Sequence, residues 1–143
     1  MLNKNIKTVY AKLSDSKFIL NLRNSNYIRK NSLSKNKICS SNHAKWLNKN
    51  LKKKNILIIH HSNIRVGYIR WSCIMGKKYL SWAITKKMQG NKIGGHVLKK
   101  VTAEKSVFRA RILKNNLTSL KIAINASFKI IRVFKKYNLM EKC

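Results

Sequence analysis

The sequence predicts a mixed α/β fold in α+β layers, and three observations support this fold class. The chain has 143 residues, of which 44% are hydrophobic, so one domain over residues 1–143 can bury a core. Three strand-like segments follow one another between residues 56 and 84, separated by tight turns. Helix-like and strand-like segments then alternate up to residue 134, which favours layers of helices on a sheet.

A strand and a short helix are predicted at the start of the chain. Residues 6–13 read as the first strand, and a short helix then runs through Leu22. Asp15 or Ser16 is expected to cap this helix, because their side-chain oxygens accept hydrogen bonds from first-turn N–H groups.

A polar segment, 24–40, separates this helix from a longer one. The segment is irregular, with a second short helix predicted near residues 27–29. Ser41 is expected to cap the longer helix. Four-residue spacing places three side chains on one face of that helix: His43, Leu47 and Leu51.

The middle of the chain predicts three strands joined by hairpins. Residues 56–60 form a continuous apolar run, and apolar and polar residues alternate over 64–71 and 79–84. The tight turns are predicted at 61–63 and 76–78.

The second half alternates helices with strands. A helix after the loop at 89–95 has one apolar stripe: Ile93, Val97, Leu98 and Val101. A strand follows, in which three apolar residues alternate with arginines: Phe108, Ala110 and Ile112. The helix over 116–127 is expected to bury Leu117, Leu120 and Ile124. The last strand covers 128–134, and 137–140 offers a further one.

Charge limits the function classes. Lys and Arg number 33 against 3 acids, giving a formal net charge of +30. The acids are isolated, which excludes paired-carboxylate catalysis and acid-rich metal sites: Asp15, Glu104 and Glu141. The charge favours anionic partners such as nucleic acid or phosphorylated small molecules. Compositional drift is an equal explanation, because Lys and Asn are both abundant.

The cysteines and apolar runs bear on location. Three dispersed cysteines form no CxxC pair, so no zinc site or disulfide framework is predicted: Cys39, Cys73 and Cys143. A reducing cytoplasm fits this usage. The sequence shows no signal-peptide pattern and no run near the roughly 20 apolar residues of a membrane span.

The loop at 89–95 is the strongest local signal for a ligand. It joins a strand to a helix, where the first N–H groups have no helical partner and the helix dipole is positive. Glycines let a phosphate approach this backbone closely. The loop lacks the patterns of a nucleotide P-loop and of a Rossmann turn, so a plain turn is the alternative.

The order of motifs over residues 15–135 resembles the GNAT acetyltransferase superfamily. The second half carries strand, Q-G-x-x-x-G loop, helix, strand, N-x-x-S helix and Phe128. The first half resembles the GNAT branch of nucleotide-amino-sugar and ribosomal-protein N-terminal acetyltransferases through Leu22-Arg23-Asn24, Ile28-Arg29, Ser32, His43-x-x-Trp46 and Val66-Gly67-Tyr68-Ile69-Arg70. The resemblance implies a mostly antiparallel sheet with splayed central strands, flanked by helices.

The resemblance also implies an acetyl-CoA site and acetyl transfer to a primary amine, on a nucleotide-linked amino sugar or a protein N-terminus. The loop motif would hold the CoA pyrophosphate through its backbone: Gln89, Gly90, Asn91, Lys92, Ile93 and Gly94. The pantetheine arm would pair with the strand at Trp82, Ala83 and Ile84, where an N–H would polarise the thioester carbonyl. Asn116 and Ser119 would lie beside the departing thiol.

This sequence departs from the family pattern at three positions. Lys92 replaces the middle glycine of the loop, at a cost of about 1 kcal/mol if that position needs a positive φ. Ser127 replaces the glycine before Phe128. Ala123 stands where many relatives carry a tyrosine that protonates the thiolate.

No catalytic base is evident. Leu80 and Ser81 stand where relatives commonly carry glutamate, which leaves His60 and His61 as candidates on opposite strand faces. Arg109 and Arg111 share a strand face that is either solvated or in contact with an anionic substrate or the CoA 3′-phosphate.

Three roles stay open at this point. The first is an active acetyltransferase. The second is a basic RNA- or ribosome-binding module, and the third is a decayed enzyme that keeps the fold. The tryptophans are predicted in the core or lining a cleft rather than stacking on bases: Trp46, Trp71 and Trp82.

Overall fold

One seven-stranded sheet organises residues 5–90 and 92–143, which the computed structural model describes. The strands lie in the order β1-β2-β3-β4-β5-β7-β6. They are Ile6–Tyr10 (β1), Ile56–His61 (β2), Ile64–Ile74 (β3), Lys77–Ile84 (β4), Phe108–Leu113 (β5), Lys129–Val133 (β6) and Tyr137–Lys142 (β7). Only β4 and β5 pair in parallel, and every other neighbouring pair is antiparallel. The predicted mixed, mostly antiparallel fold is therefore confirmed.

Helices cover both faces of the sheet. They are Ser16–Asn24 (α1), Asn26–Lys30 (α2), Ser40–Lys53 (α3), Ile93–Val101 (α4) and Leu117–Asn125 (α5). The larger apolar cluster joins α4 and α5 to the sheet and contains Phe108 and Met140. A smaller cluster joins α1 and α3 to the other face and contains Leu47 and Tyr68. Successive strand residues serve opposite faces, as Tyr68 and Ile69 do.

Two-residue turns connect β2, β3 and β4. Ser62 and Asn63 have φ values of 51° and 67°, and Met75 and Gly76 have values of 50° and 77°. Two successive positive φ values are typical of hairpin turns that match the twist of antiparallel strands. The first turn lies where the sequence predicts it. The second begins one residue before the predicted 76–78, because Lys77 already pairs with Ile74.

The first strand ends at Tyr10 rather than at residue 13. After the bond from Ala11 N–H to the Ile56 carbonyl (3.0 Å), the described residues offer the chain no further strand partner, because β2 begins at Ile56. Asp15 does not cap α1 through its side chain, and neither does Ser16. The Asp15 carboxylate instead accepts hydrogen bonds from the Lys12 backbone N–H (2.8 Å) and from Arg65 Nε (2.8 Å).

Ser41 does not cap the third helix. The helix begins one residue earlier, at Ser40, because the Cys39 carbonyl accepts the His43 N–H (3.0 Å). The predicted face is confirmed, since His43 and Leu47 are buried and Leu51 is half-buried. His43 Nε2 lies 3.2 Å from Ser16 Oγ, which joins α3 to α1, and burial lowers the pKa of this histidine.

The last helix uses small residues for its contact face, and this corrects the prediction. Leu117 and Ile124 are 72% and 56% exposed, whereas Ala123 and Ala126 are fully buried. Leu120 is half-buried, as part of the expected stripe. Small side chains let α5 approach the sheet and α4 closely, so the large apolar residues do not identify the buried face.

The two C-terminal strands are confirmed. Phe128 is buried, and β6 and β7 pair in antiparallel fashion. The strand β7 lies between β5 and β6 in the sheet, and its Met140 is fully buried.

Ser127→Gly is expected to stabilise the protein. Ser127 has a φ of 75°, a left-handed conformation that costs a non-glycine residue roughly 1–2 kcal/mol. The flexibility of glycine in the unfolded chain offsets roughly 0.5–1 kcal/mol of this gain. We expect the free energy of unfolding to rise by about 0.5–1 kcal/mol in urea titrations. Ser41→Gly, inside α3, should lower it; a fall for Ser127→Gly as well would contradict the explanation.

Helices long and apolar enough to cross a membrane do not occur in the described part of the chain. The three cysteines are free and exposed. Across residues 5–90 and 92–143, no three His, Cys, Asp or Glu side chains group as metal ligands.

Candidate active site

The two central strands separate to form a cleft. The parallel pairing of β4 and β5 is limited to Lys78 with Phe108 and Tyr79 with Arg109. Beyond these pairs the strands diverge, and a cleft of about 300 Å³ opens between them. The backbone of β4 from Leu80 onward has no strand partner on that side among the described residues. A ligand can therefore bond to this backbone.

A close approach of β3 fixes the position of β4. Gly67 pairs with Ile84 across the two strands. A Cβ at Gly67 would overlap the Ala83 carbonyl oxygen and would lie 2.8 Å from Ile84 Cδ1. Only glycine allows this approach, so Gly67 positions Ala83 and Ile84, which line the smaller cavity described next.

A second, smaller cavity of about 50 Å³ adjoins the cleft and reaches Gln89, in the segment between β4 and α4. Six of the residues predicted to contact acetyl-CoA line it: Trp82, Ala83, Ile84, Gln89, Asn116 and Ser119. They come from the end of β4, from the following loop and from the start of α5. The structure thus brings together residues that are up to 37 positions apart between Trp82 and Ser119.

The loop before α4 has left-handed backbone at two described residues. Gly90 and Lys92 have φ values of 83° and 60°, and α4 begins at Ile93. Lys92 therefore occupies a left-handed position that suits glycine, as the resemblance of the loop motif predicts. Asn91 lies outside the described residues.

Several loop side chains serve the fold. Gln89 Nε2 donates to the Ile84 carbonyl (2.9 Å), which ties the loop to β4. Ile93 is buried in the core. Gly94 faces α5, where its Cβ would lie 3.0 Å from Ile122 Cδ1. The Gln89 backbone N–H donates to the Lys86 carbonyl (3.2 Å), so it is not free for the pyrophosphate as the resemblance implied. At Ile93 and Gly94 the backbone remains the available ligand group.

Asn116 organises the opposite wall. Its Oδ1 accepts the Ser119 backbone N–H (3.2 Å) and caps α5, while its Nδ2 donates to the Asn31 carbonyl (3.3 Å). The segment after α2 is thereby held over the cleft. Trp82 lines both cavities, and its Nε1 is buried without a hydrogen-bond partner among the described residues.

The candidate bases lie elsewhere. His60 and His61 pair with Lys7 and Ile6 of β1, and neither histidine lines the cavities found among the described residues. The three acids also lie outside these cavities, and each binds a cation: Asp15 to Arg65, Glu104 to Lys78, and Glu141 to Arg109. Leu80 and Ser81 do line the cleft.

The two arginines predicted on one strand face, Arg109 and Arg111, make different contacts. Arg109 Nε binds Glu141 (2.8 Å), and its Nη1 donates to the Tyr79 hydroxyl (3.0 Å). The Tyr79 hydroxyl and the Glu141 carboxylate raise the pKa of Arg109. Arg111 lies over the Tyr79 ring, 4.4 Å from its centroid, and lines the cleft.

Sequence reasoning missed other residues of the cleft. Arg23, Tyr68 and Arg70 line it from α1 and β3, and they also line an adjoining cavity of about 460 Å³. Burial raises the pKa of Tyr68, which the nearby Arg70 and Arg23 oppose. The motifs around Arg23 and Arg70 signal the family, but no sequence pattern places these side chains together.

Comparisons with solved structures identify the fold. The chain is similar to an acetyltransferase of the GNAT family from Bacillus anthracis, with 12% identity, a TM-score of 0.78, and coverage of 96% of this chain and 92% of that one. The chain is also similar to a ribosomal-protein-alanine N-acetyltransferase from Brucella melitensis, with 19% identity, a TM-score of 0.77, and coverage of 94% of this chain and 96% of that one. A third similar structure is a spermidine N-acetyltransferase from Vibrio cholerae in complex with CoA and spermine, with 11% identity, a TM-score of 0.78, and coverage of 96% of this chain and 94% of that one.

Sequence comparison adds nothing to this result. No protein-family model matches the chain, and no curated protein matches it either. The chain therefore has the GNAT fold, as its motif order suggests, at sequence identities that establish the fold alone.

Proposed function

We propose that this protein is an N-acetyltransferase that uses acetyl-CoA to acetylate a primary amine. The observation that carries the proposal is the small cavity between the end of β4 and the start of α5. Six residues assigned to acetyl-CoA from the sequence alone line this cavity. The cavity opens beside the backbone of β4 that lacks a strand partner, where an extended pantetheine arm can form hydrogen bonds.

The start of α4 suits the CoA pyrophosphate. A helix N-terminus presents free N–H groups and a partial positive charge. Around the Cβ position of Gly90 there is open space within 4 Å, so a phosphate can approach the backbone there. The exposed Lys92 at the helix start adds a cation. Gly90, Asn91, Lys92, Ile93 and Gly94 are proposed to bind through their backbone and through this lysine.

Acetyl transfer needs a neutral amine, a polarised thioester and a proton for the thiolate. Acetyl-CoA supplies the activated acyl group when bound. An N–H of the unpaired β4 backbone near Ala83 would stabilise the oxyanion, because preformed donors act where charge develops. The Ser119 hydroxyl would stabilise the departing thiolate. Position 123, where many relatives carry a tyrosine, holds a fully buried alanine, which has no hydroxyl to donate a proton. The base is unassigned.

Two acceptor types follow from the branch that the motifs resemble. One is an amino sugar linked to a nucleotide, and the other is a protein N-terminus. The similarity of this chain to the ribosomal-protein-alanine N-acetyltransferase from Brucella melitensis is compatible with a protein N-terminus as acceptor. The three arginines of the cleft favour an anionic acceptor, as argued below.

Acetyl-CoA is expected to raise the melting temperature of the purified protein. A ligand present at a hundred times its Kd adds about 2.7 kcal/mol of stability. For a domain of this size we expect a rise of roughly 5–10 °C. Differential scanning fluorimetry over micromolar to millimolar acetyl-CoA measures it. A flat response at millimolar concentrations would refute the proposed function.

The Lys92→Gly variant tests whether the CoA loop has decayed, because its melting-temperature response to acetyl-CoA can be compared with that of the wild type. If Lys92 obstructs the loop, glycine relieves the left-handed strain at φ 60° and increases the acetyl-CoA response. No gain counts against decay at this loop. RNA in the same assay provides the comparison for the alternative of a basic RNA-binding module, whose affinity would fall steeply with salt.

A further inference from the structure

We propose that the acceptor amine carries an anionic group, a carboxylate or a phosphate, which Arg23, Arg70 and Arg111 bind in the cleft. This inference rests on the proposed acetyltransferase function and names the acceptor class for the same site. It predicts that anionic amines are preferred over neutral amines and polyamines.

Three separate elements bring the guanidinium groups to one cavity. Arg23 comes from α1, Arg70 from β3 and Arg111 from β5, and all three line the cleft of about 300 Å³. No aspartate or glutamate lines this cleft. The three acids of the chain are bound to Arg65, Lys78 and Arg109. Positive charge in the cleft therefore lacks a carboxylate partner within the protein.

The guanidinium groups keep hydrogen-bond donors available. Arg70 lies 5.5 Å from the centroid of the Trp46 ring, and Arg111 stacks on Tyr79. Stacking occupies the faces of these groups and leaves their N–H edges free. Across the described residues neither group donates a hydrogen bond. A guanidinium has five donors, so each can bind an anion with two.

Arg23 is partly used. Its Nη2 donates to the Ser34 carbonyl (3.0 Å). Its Nη1 is buried and has no hydrogen-bond partner among the described residues. A buried donor without an acceptor is costly, so an acceptor atom of a ligand would satisfy it.

Electrostatics favour an anion at this place. Burial lowers the pKa of Arg70, Tyr68 raises it, and the like charge of Arg23 lowers it further. Guanidinium side chains carry a positive charge at neutral pH, so Arg23 and Arg70 repel each other. An anion between them would remove the repulsion in a partly desolvated site.

The anion site is separate from the proposed CoA cavity. None of the three arginines lines the smaller cavity. The two cavities meet at Trp82, Asn116 and Ser119, which line both. An acceptor with its anion at the arginines could thus present its amine near the thioester. The Vibrio cholerae spermidine enzyme was solved with spermine, a polycation, which this cleft would repel.

Matched amines test the inference on the full-length protein. Glucosamine 1-phosphate and glucosamine differ by the anion, as do β-alanine and its amide. Thermal shifts without acetyl-CoA report binding, and CoA release in its presence reports transfer. Inorganic phosphate at equal concentration measures non-specific anion effects. We expect the anionic member of each pair to bind roughly tenfold more tightly or better, since hydrogen bonds to charged groups are strong. Spermidine should be the poorest acceptor.

Substitutions locate the effect. Arg70→Gln and Arg111→Gln should each reduce the preference for the anionic over the neutral amine roughly tenfold. Arg132→Gln removes the same charge on β6, an edge strand that β7 separates from β5 and whose Arg132 does not line the cleft, and should keep the preference. Arg111 is exposed, so its variant is expected to fold even if Arg70→Gln does not.

The outcomes separate the two proposals. Absence of any preference for the anionic amines, or equal losses in Arg132→Gln and Arg111→Gln, would overturn the anionic acceptor. Weaker acetyl-CoA binding in Arg70→Gln and Arg111→Gln, with amine preference unchanged, would also overturn it, since the arginines would then hold CoA. Failure of the wild-type protein to respond to acetyl-CoA would instead overturn the proposed function, while the binding comparison still decides the anion site.

Discussion

Phe108→Ala is expected to lower the free energy of unfolding by about 3–5 kcal/mol, the usual cost of emptying a buried aromatic site. Phe108 is 1% exposed and belongs to the larger apolar cluster. It also pairs with Lys78 in the short parallel contact of β4 and β5. The loss therefore combines a core cavity with a weaker join at the closed end of the cleft. Urea titration measures it.

Leu117→Ala is the matched control for Phe108→Ala. Leu117 is 72% exposed at the start of α5, so its truncation should change the free energy of unfolding by at most about 0.5 kcal/mol. A loss for Phe108→Ala below about 1 kcal/mol would contradict the position of Phe108 in the core.

Gly67→Ala is expected to lower the free energy of unfolding by about 1–3 kcal/mol, the usual range for overpacking. The new methyl group would meet the Ala83 carbonyl, which is backbone and must shift with β4. Because Ala83 and Ile84 line the proposed CoA cavity, the melting-temperature rise with acetyl-CoA should also shrink. Denaturant titration and the acetyl-CoA response measure the two effects separately.

Gly95→Ala has the opposite expectation and serves as the control. Gly95 lies in α4, and a Cβ there would meet nothing within 4 Å. Alanine favours a helix over glycine by about 1 kcal/mol, so stability should rise. If Gly67→Ala were as stable as the wild type, β3 and β4 could not approach as closely as described.

Much of the fold could be predicted because local patterns and backbone conformation coincide. A continuous apolar run located the strand at 56–61, and alternation located those at 64–74 and 77–84, to within a few residues. The expected glycine positions at Lys92 and Ser127 both have positive φ values. Motif order then supplied the topology, including the splayed central strands, which no single motif determines.

The wrong predictions concern features that depend on residues distant in the sequence. Residues 11–13 lose their strand because β2 begins at Ile56. Asp15, expected as a cap, instead binds Arg65, fifty positions away. Leu117 and Ile124 are exposed because close packing of α5 selects alanine.

Part of the candidate site could likewise be predicted from the sequence, and part could not. The residues proposed to contact acetyl-CoA fall within one stretch of the chain, from Trp82 to Ser119, so motif order and spacing could bring them together. The arginine cleft draws on positions 23, 70 and 111, from three elements whose relative placement depends on the sheet order. No base could be predicted, and the described cavities contain no carboxylate.

The left-handed backbone at Ser62, Met75, Lys92 and Ser127 has an evolutionary consequence. A chain with only 5 glycines uses ordinary residues where glycine would relax the backbone. At Ser62, Met75 and Ser127 a single change to glycine offers up to about 1 kcal/mol of stability outside the core and the cleft, whereas Lys92 belongs to the proposed CoA loop. Together these positions form a reserve of compensating substitutions, which could absorb the cost of altering the arginines and so let the acceptor specificity of this fold diverge.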